Sequence, residues 1–183
     1  MKNTITDYIK NLSLAINSID KNEVLKIAEV LNDARIKGKN IYIFGNGGSG
    51  STATHFACDI NKGCSKQGHE RFKVICLNDN IPTMLAYSND NGYEVVFKEQ
   101  LENFLQEGEV VIGISGSGNS KNIINAIEFA NSKNAITVGI TGFNGGKLKS
   151  ISKFSFNSNI NDMQLSEDLH MIWVHVMMKC FTI

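Results

Sequence analysis

The stretch GNGGSGSTATHFACDINKG, residues 45–63, sets His55 and Asp59 four positions apart. In a helix that spacing turns both side chains to one face, one turn apart. An imidazole and a carboxylate so placed can exchange protons near neutrality, or act as two ligands of one metal ion. A second group lies near the C terminus in SEDLHMIWVH, which offers Glu167, Asp168, His170 and His175. Glu167 and His175 stand roughly 12 Å apart along a straight helix and ~80° apart around it. Glu167 and His170, by contrast, form an i, i+3 pair on one face. The residues alone leave open which of the two histidines works with Glu167. His69, in SKQGHE, reads as a solvated side chain.

Chemistry of this kind needs a ligand, and two loops of small residues could hold one. GNGGSGS follows the apolar run IYIF, and SGSGNS follows VVIGI. At the carboxyl end of a parallel strand, a helix N-terminus offers free N–H groups to an anion, and serine hydroxyls add donors. A triphosphate-binding loop is excluded. Its nearest approach, TGFNGGKL, is one residue short and has Leu148 at the hydroxyl position. Gly45, Gly47 and Gly50 spell GxGxxG, with Asp79 as a candidate ribose partner, but that dinucleotide reading leaves SGSGNS without a role. The preferred reading closes both loops around one small phosphorylated molecule. Ser115, Gly116, Ser117 and Ser120 would hold the phosphate, and Asn46, Gly47 and Gly48 would line the remainder. The plainer alternative is two ordinary strand-to-helix turns, with Asn119 or Ser120 as a helix cap.

The elements that must carry these residues follow from periodicity. Two amphipathic helices fill residues 1–38, and Gly38 is a stop signal. Thereafter NIYIF, FKVICL, EVVIGI, AITVGI and SKFSFN read as strands between helices at about 50–62, 82–87, 92–105 and 119–133. The expected class is α/β: one domain over residues 1–183, with a helical lead over 1–38 and an α/β core over 39–183. The core would be a five-stranded parallel sheet flanked by helices. The final helix, at about 162–181, is apolar nearly all round, so burial on most sides is expected, with help from other subunits.

Composition excludes several classes. Lys and Arg number 18 and Asp and Glu 18, so no basic surface for nucleic acid is expected. Apolar runs fall short of the ~20 residues of a membrane span, and no signal peptide opens the chain. The 4 cysteines lack metal-site spacing and suit a reducing compartment, so a cytoplasmic location is expected.

With GNGGS, HFACD, SNDNGY, GISGSGNS, TGFNGGK and a histidine-bearing last helix, the chain resembles the SIS (sugar isomerase) domain family. Within that family it is most like the phosphoheptose isomerases. The resemblance implies interconversion of sedoheptulose 7-phosphate, or a related ketose phosphate, with its aldose through an enediolate. It implies that Ser115, Ser117 and Ser120 bind phosphate, and that Asn46–Gly48, Asn89, Asp90 and Glu167 contact the open-chain sugar. It also implies Asp59 and His175 as base and acid, and His55, Asp59, Glu167 and His175 as ligands of zinc or another divalent metal. A homotetramer with active sites at subunit interfaces is implied as well.

Two positions depart from the family pattern. Asp59 stands where a glutamate is usual, and Glu167 where a glutamine is usual. Lys62 occupies the segment where the family carries Gly-Arg. These departures lend weight to a second expectation, a non-catalytic SIS module that binds a sugar phosphate as a regulator or protein scaffold.

Overall fold

The structure, a computed structural model, describes residues 1–182. Two helices, α1 (Lys2–Asn17) and α2 (Lys21–Ile36), precede a sheet of β1 (Asn40–Gly45), β2 (Lys73–Cys76), β3 (Val110–Ser115), β4 (Ile136–Thr141) and β5 (Phe154–Asn157). Between and after the strands lie α3 (Gly47–Cys58), α4 (Ile81–Asp90), α5 (Val96–Phe104), α6 (Lys121–Ser132), α7 (Gly146–Ile151) and α8 (Met163–Phe181). The strands are parallel in the order β2-β1-β3-β4-β5. The expected five-stranded α/β arrangement is present.

Alternation along the strands explains why both faces are covered. Ile41 and Ile43 point to one face, where α2, α3 and α8 supply Leu31, Phe56 and Trp173. Tyr42 and Phe44 point to the other, where α5 and α6 supply Phe97, Leu101, Ile123 and Ile127. Gly113 is the one β3 position where α6 comes so close that a Cβ would lie 2.8 Å from Ile123. The rings of Phe56 and Trp173 stack at 5.3 Å, fastening α3 to α8. Each large side chain so buried contributes roughly 1.5–3 kcal/mol.

Helix boundaries follow local chemistry. Asp20 accepts from Asn22 and Glu23 N–H to start α2, and Gly38 at φ +64° ends the lead as expected. Asn80 caps α4, Pro82 sits in its first turn, and Asp162 caps α8.

Two expectations need correction. The helix that carries His55 was expected to run on to Lys62. Instead α3 ends at Cys58 and continues as a single π-helical turn, Asp59–Gly63. The Asn61 amide explains this: its Nδ2 donates to Val74 O at 2.8 Å, and its Oδ1 accepts from Val74 N at 3.0 Å. Asn89 and Asp90, which fall between the expected helices at 82–87 and 92–105, lie in the last turn of α4, which ends at Asp90 just before Gly92 at φ +99°. Within a single chain α8 buries one face, with Leu165, Leu169, Trp173 and Met177 covered and His175 and Val176 exposed.

Candidate active site

The order β2-β1-β3 reverses the direction of chain progression between β1 and β3. Helices leaving these neighbouring strands therefore pass to opposite faces and open a crevice at the strand ends. Both small-residue loops lie there, since Gly45 is paired with Ile114. The helices that begin at this crevice lack the side-chain caps of α2, α4 and α8. Asn46 occupies the N-cap of α3 and Ser120 that of α6, and neither side chain makes a capping bond. Ser120 Oγ lies 3.0 Å from Ser115 Oγ instead, and Ser117 Oγ accepts from Asn119 N at 3.2 Å. At the start of α6, serine hydroxyls and uncapped N–H groups thus stand together, an arrangement suited to a phosphate dianion.

The first loop is held by side chains that sequence reasoning missed. Asn78 Oδ1 accepts from Gly45 N at 3.1 Å, and its Nδ2 donates to Gly45 O at 2.8 Å. Asn46 exchanges two bonds with Asn122 on α6, at 2.9 and 2.8 Å, and so ties the first loop to the helix that follows the second. Neither Asn78 nor Asn122 carries a motif. Each reads in sequence as an ordinary polar residue after a strand or in a helix. Within one chain the loops open on separate cavities. One, of about 510 Å³, is lined by Gly47, Thr54 and His55, and the other, of about 570 Å³, by Ser117, Asn119 and Asn144.

Helices α3 and α8 run side by side in the same direction and meet at two levels. At the lower level Glu167 lies against Gly48, where a Cβ would sit 2.7 Å from Glu167 Oε1. About two turns further along both helices, His55 meets His175 with 3.2 Å between their Nε2 atoms. His55 Nε2 also lies 3.1 Å from Asp59 Oδ2. One ligand atom each from His55, Asp59 and His175 can be chosen with all three within 4.8 Å of one another. Glu167, the fourth expected ligand, is not in this group of three; its carboxylate lies at the level of the first loop, against Gly48.

His170 is settled differently. It is fully buried, edge-on to Phe156 at 6.3 Å, and neither ring nitrogen has a hydrogen-bond partner. Burial pushes its pKa down to about 4; the Thr141 backbone offsets part of this without reaching hydrogen-bond geometry. It serves the core and lies apart from the cluster. Asp168 accepts from Tyr8 OH at 2.6 Å, tying α1 to α8, and that bond pushes the Tyr8 pKa up to about 12. Asn89 Nδ2 donates to Asp90 Oδ1 at 2.8 Å, and both are exposed.

The donor set fits a metal ion. Two nitrogens each ~2.0–2.1 Å from a tetrahedral Zn²⁺ stand roughly 3.3 Å apart, close to the separation of the two imidazoles here.

Known proteins agree with this arrangement. The SIS domain family model matches residues 6–142. A probable phosphoheptose isomerase of Thermoplasma acidophilum is 31% identical over 92% of this chain and 92% of its own length. The phosphoheptose isomerase of Helicobacter hepaticus is 34% identical over 84% of this chain and 78% of its own. A solved phosphoheptose isomerase of Neisseria gonorrhoeae superposes with a TM-score of 0.91 at 25% identity, over 98% of this chain and 97% of that one. The chain therefore belongs to the SIS domain family, among its phosphoheptose isomerases.

Proposed function

We propose that this protein is an aldose–ketose isomerase acting on sedoheptulose 7-phosphate or a closely related ketose phosphate. The carrying observation is the pair of uncapped helix starts at one crevice, with a histidine–carboxylate cluster two helical turns away. Ser115, Ser117 and Ser120 bind the phosphate, with the N–H groups that open α6 and Gly116 keeping the loop tight. Asn46, Gly47 and Gly48 bind the open-chain sugar together with Glu167. Asn89 and Asp90, exposed at the end of α4, complete the contacts to its hydroxyls.

Isomerisation requires removal of a proton beside a carbonyl, its return to the neighbouring carbon, and proton movement between two oxygens. Asp59 is the base and His175 the acid in this reading. His55 Nε2 stands between them, 3.1 Å from Asp59 Oδ2 and 3.2 Å from His175 Nε2. His55, Asp59 and His175 would hold a divalent ion such as zinc, which when bound supplies Lewis-acid stabilisation of the enediolate oxygens. Glu167 is a sugar contact from the adjoining level.

A homotetramer with sites at subunit interfaces is part of the proposal. Its support is an apolar groove of about 430 Å³ between α1, α2 and α8, lined by Ile16, Leu25, Trp173 and Val176. Val176 adjoins the exposed His175, so a neighbour covering the groove would also enclose the cluster. Among the described residues, no helix is long and apolar enough to cross a membrane.

The test is turnover of sedoheptulose 7-phosphate by the purified chain, with zinc added and with chelator. Turnover is expected. Its absence with every ketose phosphate tried would remove the proposal and favour a sugar-phosphate-binding module, which would still show thermal stabilisation by the ligand.

A further inference from the structure

Two side chains from separate elements converge on Asn46 in the first loop. Asn46 Oδ1 accepts from Tyr93 OH at 2.7 Å and from Asn122 Nδ2 at 2.8 Å, while Asn46 Nδ2 donates to Asn122 Oδ1 at 2.9 Å. We infer that Asn122 and Tyr93 are positioning residues that fix which end of the Asn46 carboxamide faces the ligand, and that the end presented is an N–H donor. This deepens the reading above, in which Asn46 contacts the sugar.

The polarity follows from one backbone group. Ile123 N–H donates to Asn122 Oδ1 at 3.0 Å, so that atom must be the oxygen. Asn122 is buried, with 3% of its surface exposed, and its amide cannot turn over without stranding the Ile123 N–H. Its Oδ1 then requires a donor from Asn46, and its Nδ2 requires an acceptor. Asn46 is thereby held with Oδ1 doubly engaged and one Nδ2 hydrogen unused. A ligand meeting this residue must offer an acceptor, such as a carbonyl or hydroxyl oxygen.

Tyr93 completes the arrangement from outside. Gly92 at φ +99° turns the chain into a short 3₁₀ turn, Tyr93–Val95, and Asn125 Nδ2 pins that turn by donating to Glu94 O at 2.9 Å. The Tyr93 ring is 49% exposed, so packing does little to place it; its hydroxyl bond to Asn46 is the specific contact.

The experiment is a double-mutant cycle between Tyr93→Phe and Asn46→Ala, read with sedoheptulose 7-phosphate turnover and with inhibition by inorganic phosphate. Tyr93→Phe removes one exposed hydroxyl, and the fold is expected to survive it. Its KM should rise roughly three- to tenfold with kcat nearly unchanged. Phosphate inhibition, which reads the serine loop, should stay at the wild-type value. In the Asn46→Ala background the Tyr93→Phe penalty should vanish. An unchanged KM in Tyr93→Phe, or a penalty that persists in full beside Asn46→Ala, overturns the inference alone. A wild-type chain that turns over no ketose phosphate overturns the functional reading, and this inference with it.

Discussion

The Nε2 atoms of His55 and His175 face each other across 3.2 Å, although 120 residues separate them in the chain. Nitrogens so placed suit a hydrogen bond or a shared metal ion. The latter predicts that the purified protein carries a divalent ion. His55→Ala and His175→Ala should each lower its stoichiometry, measured by elemental analysis, and reduce turnover at least ~10²-fold. Metal content equal to wild type in both variants would contradict the assignment.

Gly48 tests the level of the site at Glu167. An added Cβ would lie 2.7 Å from Glu167 Oε1, so the carboxylate must move. Alanine is a better helix former than glycine by about 1 kcal/mol. Gly48→Ala should therefore hold or raise the melting temperature while lowering kcat/KM at least ~10-fold. Parallel loss of both would instead mark Gly48 as a packing residue.

Ser120 can be separated from helix stability because its hydroxyl makes no capping bond. Ser120→Ala should barely move the melting temperature. The KM for a phosphorylated substrate should rise roughly 10- to 100-fold, the range for a hydrogen bond to a charged group. Inhibition by inorganic phosphate should weaken by a similar factor.

His170 predicts an acid-labile core. Its folded pKa of about 4 lies below the ordinary 6.5, so the unfolded chain binds the proton more tightly. The stabilisation is fully present above about pH 6.5 and is lost as pH falls toward 4, in all roughly 3 kcal/mol. Denaturant unfolding at pH 7.5 and 5 should show this slope, and it should be shallower in His170→Phe. An equal slope in that variant would place the titration elsewhere.

The strands and both loops were legible because buried β-branched runs and glycine-serine clusters are local signals. Residues 110–115 and 136–141 speak for themselves. What escaped was set by side-chain amides acting at a distance. The widened turn at Asp59 depends on Asn61 reaching Val74, and nothing in the helical period of the segment reports it. Asn122 looks like any residue in the first turn of a helix, yet it bonds a loop 76 positions away. The mismatch between Glu167 and His175 was readable from helix geometry alone. Only the parallel course of α3 and α8 shows where Glu167 goes instead.

Asn61 links the edge of the sheet to the proposed site. Strand β2 lies at the margin of the sheet, and the Val74 peptide groups on its outer side are those a foreign strand would seek. The carboxamide that shapes the segment bearing Asp59 also keeps those groups occupied. One substitution there would loosen the segment that carries the Asp59 carboxylate and expose an adhesive border together, so Asn61 is a poor target for any effort to retune this protein.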